Sequence, residues 1–281
     1  MILSGKPVAQ ELCRKTQDDA LQLRQQGMIP TLCIVRIGED PSDLAYERGI
    51  CKRAEQVDVE IRKELLPADS DAQTVIDLLH GLNADDSVHG VLLFRPLPKT
   101  LSERQSEIFN ALDPVKDVDG MTDGSAAGVF LGKAQGFAPC TPSACMELLR
   151  YYDIDPCGKR TVVIGRSPVV GKPLSMLLLN RHATVTICHT RTKDLAEVAK
   201  NAELLIACAG SAEMVTKDYI APGAVVLDVG VNWNGEKYVG DVRFKEAEAV
   251  ASAITPVPGG VGAVTTAILL NHTVEAARRL L

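Results

Sequence analysis

Short runs of β-branched and apolar residues alternate with longer amphipathic runs along the whole chain, and this alternation limits the possible folds most strongly. Strand-like runs are predicted at residues 31–37, 59–65, 90–93, 161–164, 184–188, 204–208 and 225–229. Helical patterns are predicted at residues 7–26, 42–57, 72–83 and 103–112, with a last helix over 264–280. Strands that alternate with helices form parallel sheets, because each helix carries the chain back to the starting edge of the sheet. The sequence therefore predicts an α/β fold with mostly parallel strands.

The length of 281 residues indicates roughly two domains. Residues 120–142 are rich in Gly, Ala, Asp and Pro and show little periodicity, so we place the boundary there. After this stretch, Thr141 and Pro142 are predicted to begin a helix, with Thr as the N-cap and Pro at the first helical position. We expect one domain of residues 1–139 plus the returning last helix, 264–281, and a second domain of residues 140–263.

Composition and charge exclude several classes of protein. A hydrophobic fraction of 46% and a charged fraction of 23% are typical of a globular protein with a core. The net charge of -6 argues against nucleic acid or an anionic membrane as a partner, because phosphate binding relies on basic surface. No apolar run is long enough to span a bilayer, and residues 1–10 lack the pattern of a secretion signal. The eight cysteines include no CxxC pair, so we expect reduced thiols, no metal site and a cytoplasmic protein.

A glycine turn joins a β-branched run to an apolar helix in the second domain. The run Thr161–Ile164 is followed by Gly165-Arg-Ser-Pro-Val-Val-Gly171-Lys-Pro173 and then by the helix. Free backbone N–H groups and the helix dipole at such a junction favour phosphate. The Gly-x5-Gly spacing alone also fits an ordinary tight turn. With its strand and helix, it indicates a dinucleotide site on Gly165, Arg166 and Ser167.

The end of the next strand favours NADP over NAD. NAD enzymes usually place an acidic residue there to bind the ribose hydroxyls. This chain has Thr190 and Arg191 instead, and Arg166 lies on the first turn. A hydroxyl and two basic residues suit a 2′-phosphate, although such charges also occur as solvated loop residues.

Six segments together resemble the methylenetetrahydrofolate dehydrogenase/methenyltetrahydrofolate cyclohydrolase family. They occur in the family's order and span nearly the whole chain: Lys116-Asp-Val-Asp-Gly120, Pro139-Cys-Thr-Pro142, Val163-Ile-Gly-Arg-Ser167 with Val170-Gly-Lys-Pro173, Asp228-Val-Gly-Val-Asn232, Gly240-Asp-Val242 and Thr255-Pro-Val-Pro-Gly-Gly-Val-Gly262. The resemblance implies a cytosolic homodimer in one-carbon metabolism. It also implies an N-terminal α/β folate-binding catalytic domain, a C-terminal Rossmann-type parallel sheet, and a cleft between them for folate and nicotinamide.

The resemblance also implies roles for individual residues. On the cofactor side, the family pattern places the phosphates and ribose on Gly165, Arg166 and Ser167. It places the 2′-phosphate beside Thr190 and the nicotinamide on the backbone of Val231. On the folate side, it implies that Tyr46 stacks on or orients the substrate, that Asp119 hydrogen-bonds the pterin, and that the cleft wall includes Pro258, Gly259 and Gly260. Asp117 and Asp119 could instead bind a metal, but the remaining ligands of such a site are absent.

The chain departs from the family at the two positions that serve the cyclohydrolase step. That step adds water to the methenyl carbon and moves a proton, so a general acid/base is useful. The family places a lysine four residues after the tyrosine, on the same helix face, and a glutamine before Pro-Leu-Pro. Here these positions are Ile50 and Phe94. Lys52 lies two residues further, about 200° around the helix, and is a poor substitute.

We therefore expect an NADP-dependent oxidation of 5,10-methylenetetrahydrofolate to 5,10-methenyltetrahydrofolate with weak or absent cyclohydrolase activity. The main alternative is a bifunctional enzyme that recruits another group, such as Lys116, Arg95 or an ordered water, and yields 10-formyltetrahydrofolate. A non-catalytic binding protein is a second alternative, and the retained Tyr46 and Asp119 argue against it. A dehydrogenase of amino or hydroxy acids is a third, but it would generally require a Lys or His acid/base at the reacting carbonyl.

Overall fold

The computed structural model describes all 281 residues, and the chain divides into two compact units. One comprises Glu11–Cys140 and Thr266–Leu281, and we call it the three-stranded unit. The other comprises Met1–Gln10 and Thr141–Thr265, and we call it the five-stranded unit. Both sheets are parallel, which confirms the predicted α/β class.

The three-stranded unit is a small parallel sheet with helices before, between and after its strands. Its strands are β1 (Thr31–Ile37), β2 (Glu60–Leu66) and β3 (Gly90–Leu93), in the order β2-β1-β3. Its helices are α1 (Gly5–Gln25, which starts in the other unit), α2 (Pro41–Gln56), α3 (Ala72–Asn83), a 3-10 turn (Lys99–Arg104), α4 (Gln105–Asn110), α5 (Asp123–Leu131) and the final α10 (Thr265–Arg278). Apolar side chains of β1, α3 and β3 form the core, which includes Val35, Leu79 and Leu93.

Helix α2 has well-defined ends and is anchored to the sheet by buried charges. The Asp40 side chain accepts a hydrogen bond from the Ser42 N–H at 2.8 Å, and Pro41 occupies the first turn. Glu47 of this helix forms ion pairs with Arg36 of β1 at 3.0 Å and with Lys63 of β2 at 2.7 Å. These contacts fix the helix that carries the predicted substrate residue.

The loop between β3 and α5 is held by buried polar groups. The Lys116 ammonium donates to the carbonyl oxygens of Leu82 and Asp85 at 2.8 and 2.7 Å. The fully buried Asp117 carboxylate accepts from the backbone N–H groups of Met121 and Thr122 at 3.0 and 2.8 Å. Asp117 and Lys116 are thus structural residues, and the loop between them and α5 is fixed.

Two sequence-based assignments of secondary structure near the end of this unit were wrong. Residues 123–131, assigned to an aperiodic boundary, form α5, whose small and apolar residues give no polar face to detect. The Thr122 hydroxyl accepts from the Ser125 N–H at 3.1 Å and begins this helix, and Gly132 ends it at φ 64°. The next helix, α6, spans Cys140–Tyr151, so Thr141 lies within its first turn and is not its N-cap.

The five-stranded unit is a parallel sheet with the order β10-β7-β6-β4-β5. Its strands are β4 (Arg160–Ile164), β5 (Thr184–Cys188), β6 (Leu204–Ala207), β7 (Val225–Asp228) and β10 (Ala253–Ile254), with a separate hairpin of β8 (Asn232–Trp233) and β9 (Tyr238–Val239). Its helices are α6, α7 (Gly171–Leu179), α8 (Leu195–Ala199) and α9 (Phe244–Glu248), with 3-10 turns at Lys217–Tyr219 and Val261–Ala263. In order along the chain, the sheet reads 2-1-3-4-5, a doubly wound arrangement.

The first ten residues group with this unit and not with the N-terminal domain to which the sequence assigned them. The Leu3 N–H donates to the Ile254 carbonyl at 2.8 Å, so the chain start extends the sheet beside β10. The Gly5 N–H donates to the Gly259 carbonyl at 2.8 Å. A two-residue contact of this kind leaves no periodic signal in the sequence.

A buried carboxylate joins the loop after β6 to the loop that follows the hairpin. Asp241 is fully buried and accepts from the backbone N–H groups of Ala209, Gly210 and Ser211 at 2.5, 2.9 and 2.9 Å. The Asn232 side chain donates to the same carboxylate at 2.9 Å. One buried side chain therefore satisfies three successive backbone donors and a side-chain amide.

We expect Asp241→Ala to lower the free energy of unfolding by about 3–5 kcal/mol, because it removes a buried charged acceptor that four donors share. Urea denaturation at neutral pH measures this change. Asp218→Ala, at an exposed position of the same unit, is the control, with an expected loss below about 0.5 kcal/mol. Equal losses in the two variants would contradict the assigned role of Asp241.

None of the ten helices combines the length and the apolar character that crossing a bilayer requires. No group of three or more His, Cys, Asp or Glu side chains is arranged to hold a metal ion. All eight cysteines are free thiols.

Candidate active site

The glycine turn follows β4, and its backbone passes too close to neighbouring atoms to admit a side chain. Gly165 has φ 136°, and a Cβ atom there would lie 2.8 Å from the Cys208 sulfur and closer still to the Cys208 carbonyl oxygen. A Cβ at Gly171 would lie 2.9 Å from the Arg166 nitrogen. Both positions therefore require glycine. The packed turn presents backbone to its open side.

Strand order places this turn where ligands bind in open parallel sheets. β4 lies between β5 and β6, so the connections after β4 and after β6 leave the sheet in opposite directions. The crevice between such connections, at the carboxyl ends of the strands, is the usual binding site. Gly165 and Cys208 are on its two sides.

Arg166 and Ser167 are both exposed on the turn. The Ser167 hydroxyl accepts from the Val170 N–H at 3.1 Å, and the Lys172 N–H donates to the Ser167 carbonyl at 3.1 Å. No side chain caps the first turn of α7. The helix start, a serine and an arginine are therefore accessible to an anion.

The two residues predicted at the second strand end lie at the same edge of the sheet. Cys188, the last residue of β5, accepts from the Gly165 N–H at 2.9 Å, which brings the two strand ends side by side. Thr190 and Arg191 follow and are exposed. The Arg191 N–H donates to Nδ1 of His189 at 3.1 Å, so the turn is compact. No acidic side chain occurs between Cys188 and Lys193.

The predicted nicotinamide and wall residues line one cavity of the five-stranded unit. Val231, Pro258, Gly259 and Gly260 surround a space of 350 Å³. Val231 is 62% exposed, so its backbone and side chain are accessible. Asp228 also lines the cavity, and burial raises its pKa to about 7 although backbone N–H groups oppose the shift.

In the three-stranded unit, Tyr46 of α2 lies against Phe94. The ring centroids are 5.6 Å apart, and Tyr46 keeps 42% of its surface exposed. Thr266 lies near the Tyr46 hydroxyl. Burial and the nearby Cys140 and Asp119 raise the pKa of the phenol well above its ordinary value. Tyr46 is therefore neutral and offers a ring face and a hydroxyl, but no base.

Ile50 and Phe94, at the positions of the family's lysine and glutamine, are both buried. Ile50 lies one helical turn after Tyr46 and is fully buried, and Phe94 is 7% exposed. Lys52 is exposed, as expected for a residue on another face of α2. Burial lowers the pKa of Lys116. Its ammonium is held by hydrogen bonds to two carbonyl groups, which leaves it no free path to a substrate.

Asp119 is paired with Arg95, the residue that follows Phe94. The guanidinium donates to the Asp119 carboxylate, and the two side chains are 23% and 20% exposed. Burial raises the pKa of Asp119, and the charge and hydrogen bond of Arg95 oppose this shift. Asp119 can therefore act as a paired anion with acceptor sites left for a ligand.

Family models match both parts of the chain. The description "Tetrahydrofolate dehydrogenase/cyclohydrolase, catalytic domain" matches residues 3–119, and "Tetrahydrofolate dehydrogenase/cyclohydrolase, NAD(P)-binding domain" matches residues 139–281. The chain belongs to the tetrahydrofolate dehydrogenase/cyclohydrolase family. The match extends through both units, so neither the folate part nor the nucleotide part of the family pattern is missing.

Relatives and solved structures agree over essentially the full length. The bifunctional protein FolD of Carboxydothermus hydrogenoformans is 48% identical, with 99% of this chain and 97% of that protein aligned. The FolD of Moorella thermoacetica is 46% identical, with 99% of each chain aligned. The Campylobacter jejuni enzyme FolD has a TM-score of 0.96 at 36% identity, covering 100% and 99% of the two chains. The Trypanosoma brucei dehydrogenase-cyclohydrolase, solved with NADP and an inhibitor, has a TM-score of 0.91 at 31% identity, covering 100% and 98%.

Sequence reasoning missed several contacts of the candidate site. It treated Arg95 as a group that could replace the lysine, and not as the partner of Asp119. It also gave no sign of Cys208 beside the glycine turn or of Thr266 beside Tyr46. The available signal for the Arg95–Asp119 pair was a charged residue directly before the Pro-Leu-Pro run. The positions of Cys208 and Thr266 depend on long-range packing, which leaves no local signal.

Proposed function

We propose that this protein oxidises 5,10-methylenetetrahydrofolate to 5,10-methenyltetrahydrofolate with NADP, and that it hydrolyses the methenyl product weakly or not at all. Family membership and the full-length likeness to bifunctional FolD proteins support the dehydrogenase. Buried Ile50 on the Tyr46 face of α2 is the observation that carries the second part.

The five-stranded unit has the features that NADP requires. The side-chain-free turn at Gly165 and Gly171 allows close approach of a pyrophosphate, with Arg166 and Ser167 at its rim. Thr190 and Arg191 lie at the adjacent strand end without an acidic neighbour, which suits a 2′-phosphate. Val231 and the Pro258–Gly260 wall would hold the nicotinamide, which when bound accepts the hydride.

The dehydrogenase step needs alignment more than proton transfer. The methylene carbon loses a hydride with its electron pair, and the two neighbouring folate nitrogens stabilise the resulting cation. No proton moves, so the neutral Tyr46 and the paired Asp119 need only bind and orient the folate. Tyr46 offers its ring face, and the Asp119 carboxylate accepts from the pterin N–H groups.

The hydrolytic step lacks a suitable proton carrier in this chain. Ile50 and Phe94 are apolar, and Lys52 is exposed on another face of the helix. Lys116 is bound to two carbonyl groups, and Arg95 is paired with Asp119. Arginine does not deprotonate in proteins, so it cannot serve as a general base. These four observations support the loss of cyclohydrolase activity.

A fully bifunctional enzyme is the second candidate, and the names of the relatives favour it. The two FolD proteins cited above are 48% and 46% identical to this chain, and both are called bifunctional. This alternative requires a proton carrier other than the lysine of the family, such as an ordered water.

Paired assays on one preparation test the proposal. Reduction of NADP and of NAD is followed with methylenetetrahydrofolate, and loss of methenyltetrahydrofolate absorbance is followed without cofactor. We expect NADP reduction and a hydrolysis rate close to that of buffer. If neither cofactor is reduced, the proposed dehydrogenase activity is wrong. Rapid hydrolysis at low enzyme concentration would establish the bifunctional alternative.

Arg191→Ala tests the assignment of the 2′-phosphate. We expect KM for NADP to rise about 10- to 100-fold, because a hydrogen bond to a charged group contributes about 1.5–3 kcal/mol. KM for NAD should change less than about twofold, since NAD has no 2′-phosphate. Arg181→Ala removes an exposed arginine that precedes the opposite end of β5 and is the matched control. Equal effects on NADP and NAD would show that Arg191 does not contact that phosphate.

A further inference from the structure

Arg95 is held in place on two sides. It follows the buried end of β3 and Phe94, and its guanidinium donates to the Asp119 carboxylate. The guanidinium carbon also lies 5.9 Å from the centroid of the Phe109 ring. A cation fixed between an aromatic ring and a carboxylate has little freedom, so it imposes an orientation on its partner.

The loop that carries Asp119 is equally fixed. The Val118 carbonyl is 2.9 Å from Nδ1 of His272 and 3.4 Å from the Cys140 sulfur, and both can donate to it. Asp117, two residues before Asp119, is held by the backbone of the following turn. Asp119 therefore cannot leave Arg95 through a simple loop movement, and the ion pair belongs to the built site.

The chemistry of the pterin makes the charge on Asp119 important. Its aminopyrimidine edge presents neighbouring N–H donors, which need acceptors. An ionised carboxylate has about four lone-pair sites, and Arg95 occupies one of them. A protonated carboxyl group would turn one oxygen into a donor facing a donor. The site therefore recognises this edge only when Asp119 is ionised.

We propose that Arg95 is a positioning residue for the folate: it orients the Asp119 carboxylate and keeps it ionised, so that the pterin edge meets a ready acceptor. This inference rests on the proposed function and adds to it a residue that the family comparison does not assign. Arg95 acts through Asp119 and need not touch the substrate.

Among the titratable side chains near Asp119, only Arg95 carries a positive charge. They come from each neighbouring segment: Arg95 after β3, Asp117 in the same loop, Tyr46 on α2, Cys140 on α6 and His272 on α10. Burial raises the pKa of Tyr46 and of Cys140, so both are neutral. Burial lowers the pKa of His272, which is also neutral. Among these groups, Arg95 is the cation.

The direction of the pH effect follows. Burial raises the pKa of Asp119, and Arg95 opposes that rise. The protein binds substrate at pH values above the pKa of Asp119, where this carboxylate is ionised. Binding is lost as the pH falls through the pKa of Asp119. Loss of the Arg95 charge raises that pKa further, so the acid limb of kcat/KM moves to higher pH.

A matched pair of variants tests the proposal in the full-length protein. Arg95→Gln keeps a polar side chain of similar length without the charge, whereas Arg95→Lys keeps the charge. For Arg95→Gln we expect KM for methylenetetrahydrofolate at neutral pH to rise about tenfold, and the acid limb to move up by about one pH unit. We expect kcat on the alkaline side to stay within about threefold, and Arg95→Lys to keep the limb near its original position. Arg104→Gln, an exposed arginine of the same unit, is the control and should change neither.

The outcomes are distinguishable. An acid limb that stays in place in Arg95→Gln would overturn the proposal, whatever happens to stability, because a merely structural ion pair does not set that limb. An equal shift in Arg95→Lys would also overturn it. If Arg95→Gln is inactive, calorimetric binding of folic acid across pH provides the same test, since folic acid carries the same pterin edge. Failure of the proposed function itself would appear as an inactive unsubstituted protein with NADP.

Discussion

The double substitution Ile50→Lys with Phe94→Gln is expected to raise the rate of methenyltetrahydrofolate hydrolysis by about 100-fold, the lower end of what a positioned acid/base contributes. The lysine would lie one turn after Tyr46, and the glutamine would replace the ring 5.6 Å from it. We expect the lower end because position 50 is fully buried, and burial disfavours the charged ammonium.

The control for this variant isolates the amine. Ile50→Met with Phe94→Gln supplies a side chain of similar shape without a titratable group, and it should hydrolyse methenyltetrahydrofolate no faster than the unsubstituted protein. Thermal unfolding of both variants checks that they remain folded. Equal gains in the two variants, or no gain in a folded lysine variant, would contradict the assignment of these positions to proton transfer.

The second large effect is expected at Asp119. Asp119→Asn should lower kcat/KM for methylenetetrahydrofolate by about 100- to 1000-fold, mostly through KM, since about 3–4 kcal/mol of binding is lost. In the proposed folate complex, the amide would place a donor opposite the pterin donors. It also leaves Arg95 without a charged partner in a partly buried place. Steady-state kinetics at a pH well above the acid limb measures the loss.

Asp86→Asn is the matched control, because Asp86 is an exposed aspartate of the same unit. We expect its kinetic constants to stay within about twofold of the original, as for most exposed substitutions. A loss at Asp119 that appears in kcat with KM unchanged would contradict a binding role. Such a result would assign the carboxylate to the chemical step.

Much of the fold was predictable because buried parallel strands are continuous apolar runs. Residues 31–37, 90–93 and 184–188 were predicted with the bounds that the structure has, and 59–65 was displaced by one residue from β2. The helix predicted at 103–112 is a 3-10 turn followed by the short α4, a distinction that periodicity does not make. Helix α5 was missed because its small and apolar residues show no polar face. The hairpin β8-β9 was missed although Asn234-Gly235 is a local turn signal.

The candidate site was predictable where local backbone determines it. The glycine turn is local, since a strand, two glycines and a helix define it within 13 residues, 161–173. The pairing of Arg95 with Asp119 spans 24 positions and depends on where β3 and the following loop end. The burial of Lys116 in carbonyl hydrogen bonds is likewise a tertiary property, and no sequence pattern separates it from a free lysine.

The Asp241 carboxylate has a consequence for where an anion can settle. Three consecutive amides after β6 form a pocket of the kind that elsewhere receives a phosphate group. Here the protein occupies that pocket with its own side chain. The loop is an anion-binding site that the protein fills with its own carboxylate, whereas the start of α7 after the glycine turn has no side-chain cap. This asymmetry leaves the glycine turn, and not the loop after β6, open to an anion from solution, and the glycine turn is where we propose that the pyrophosphate binds.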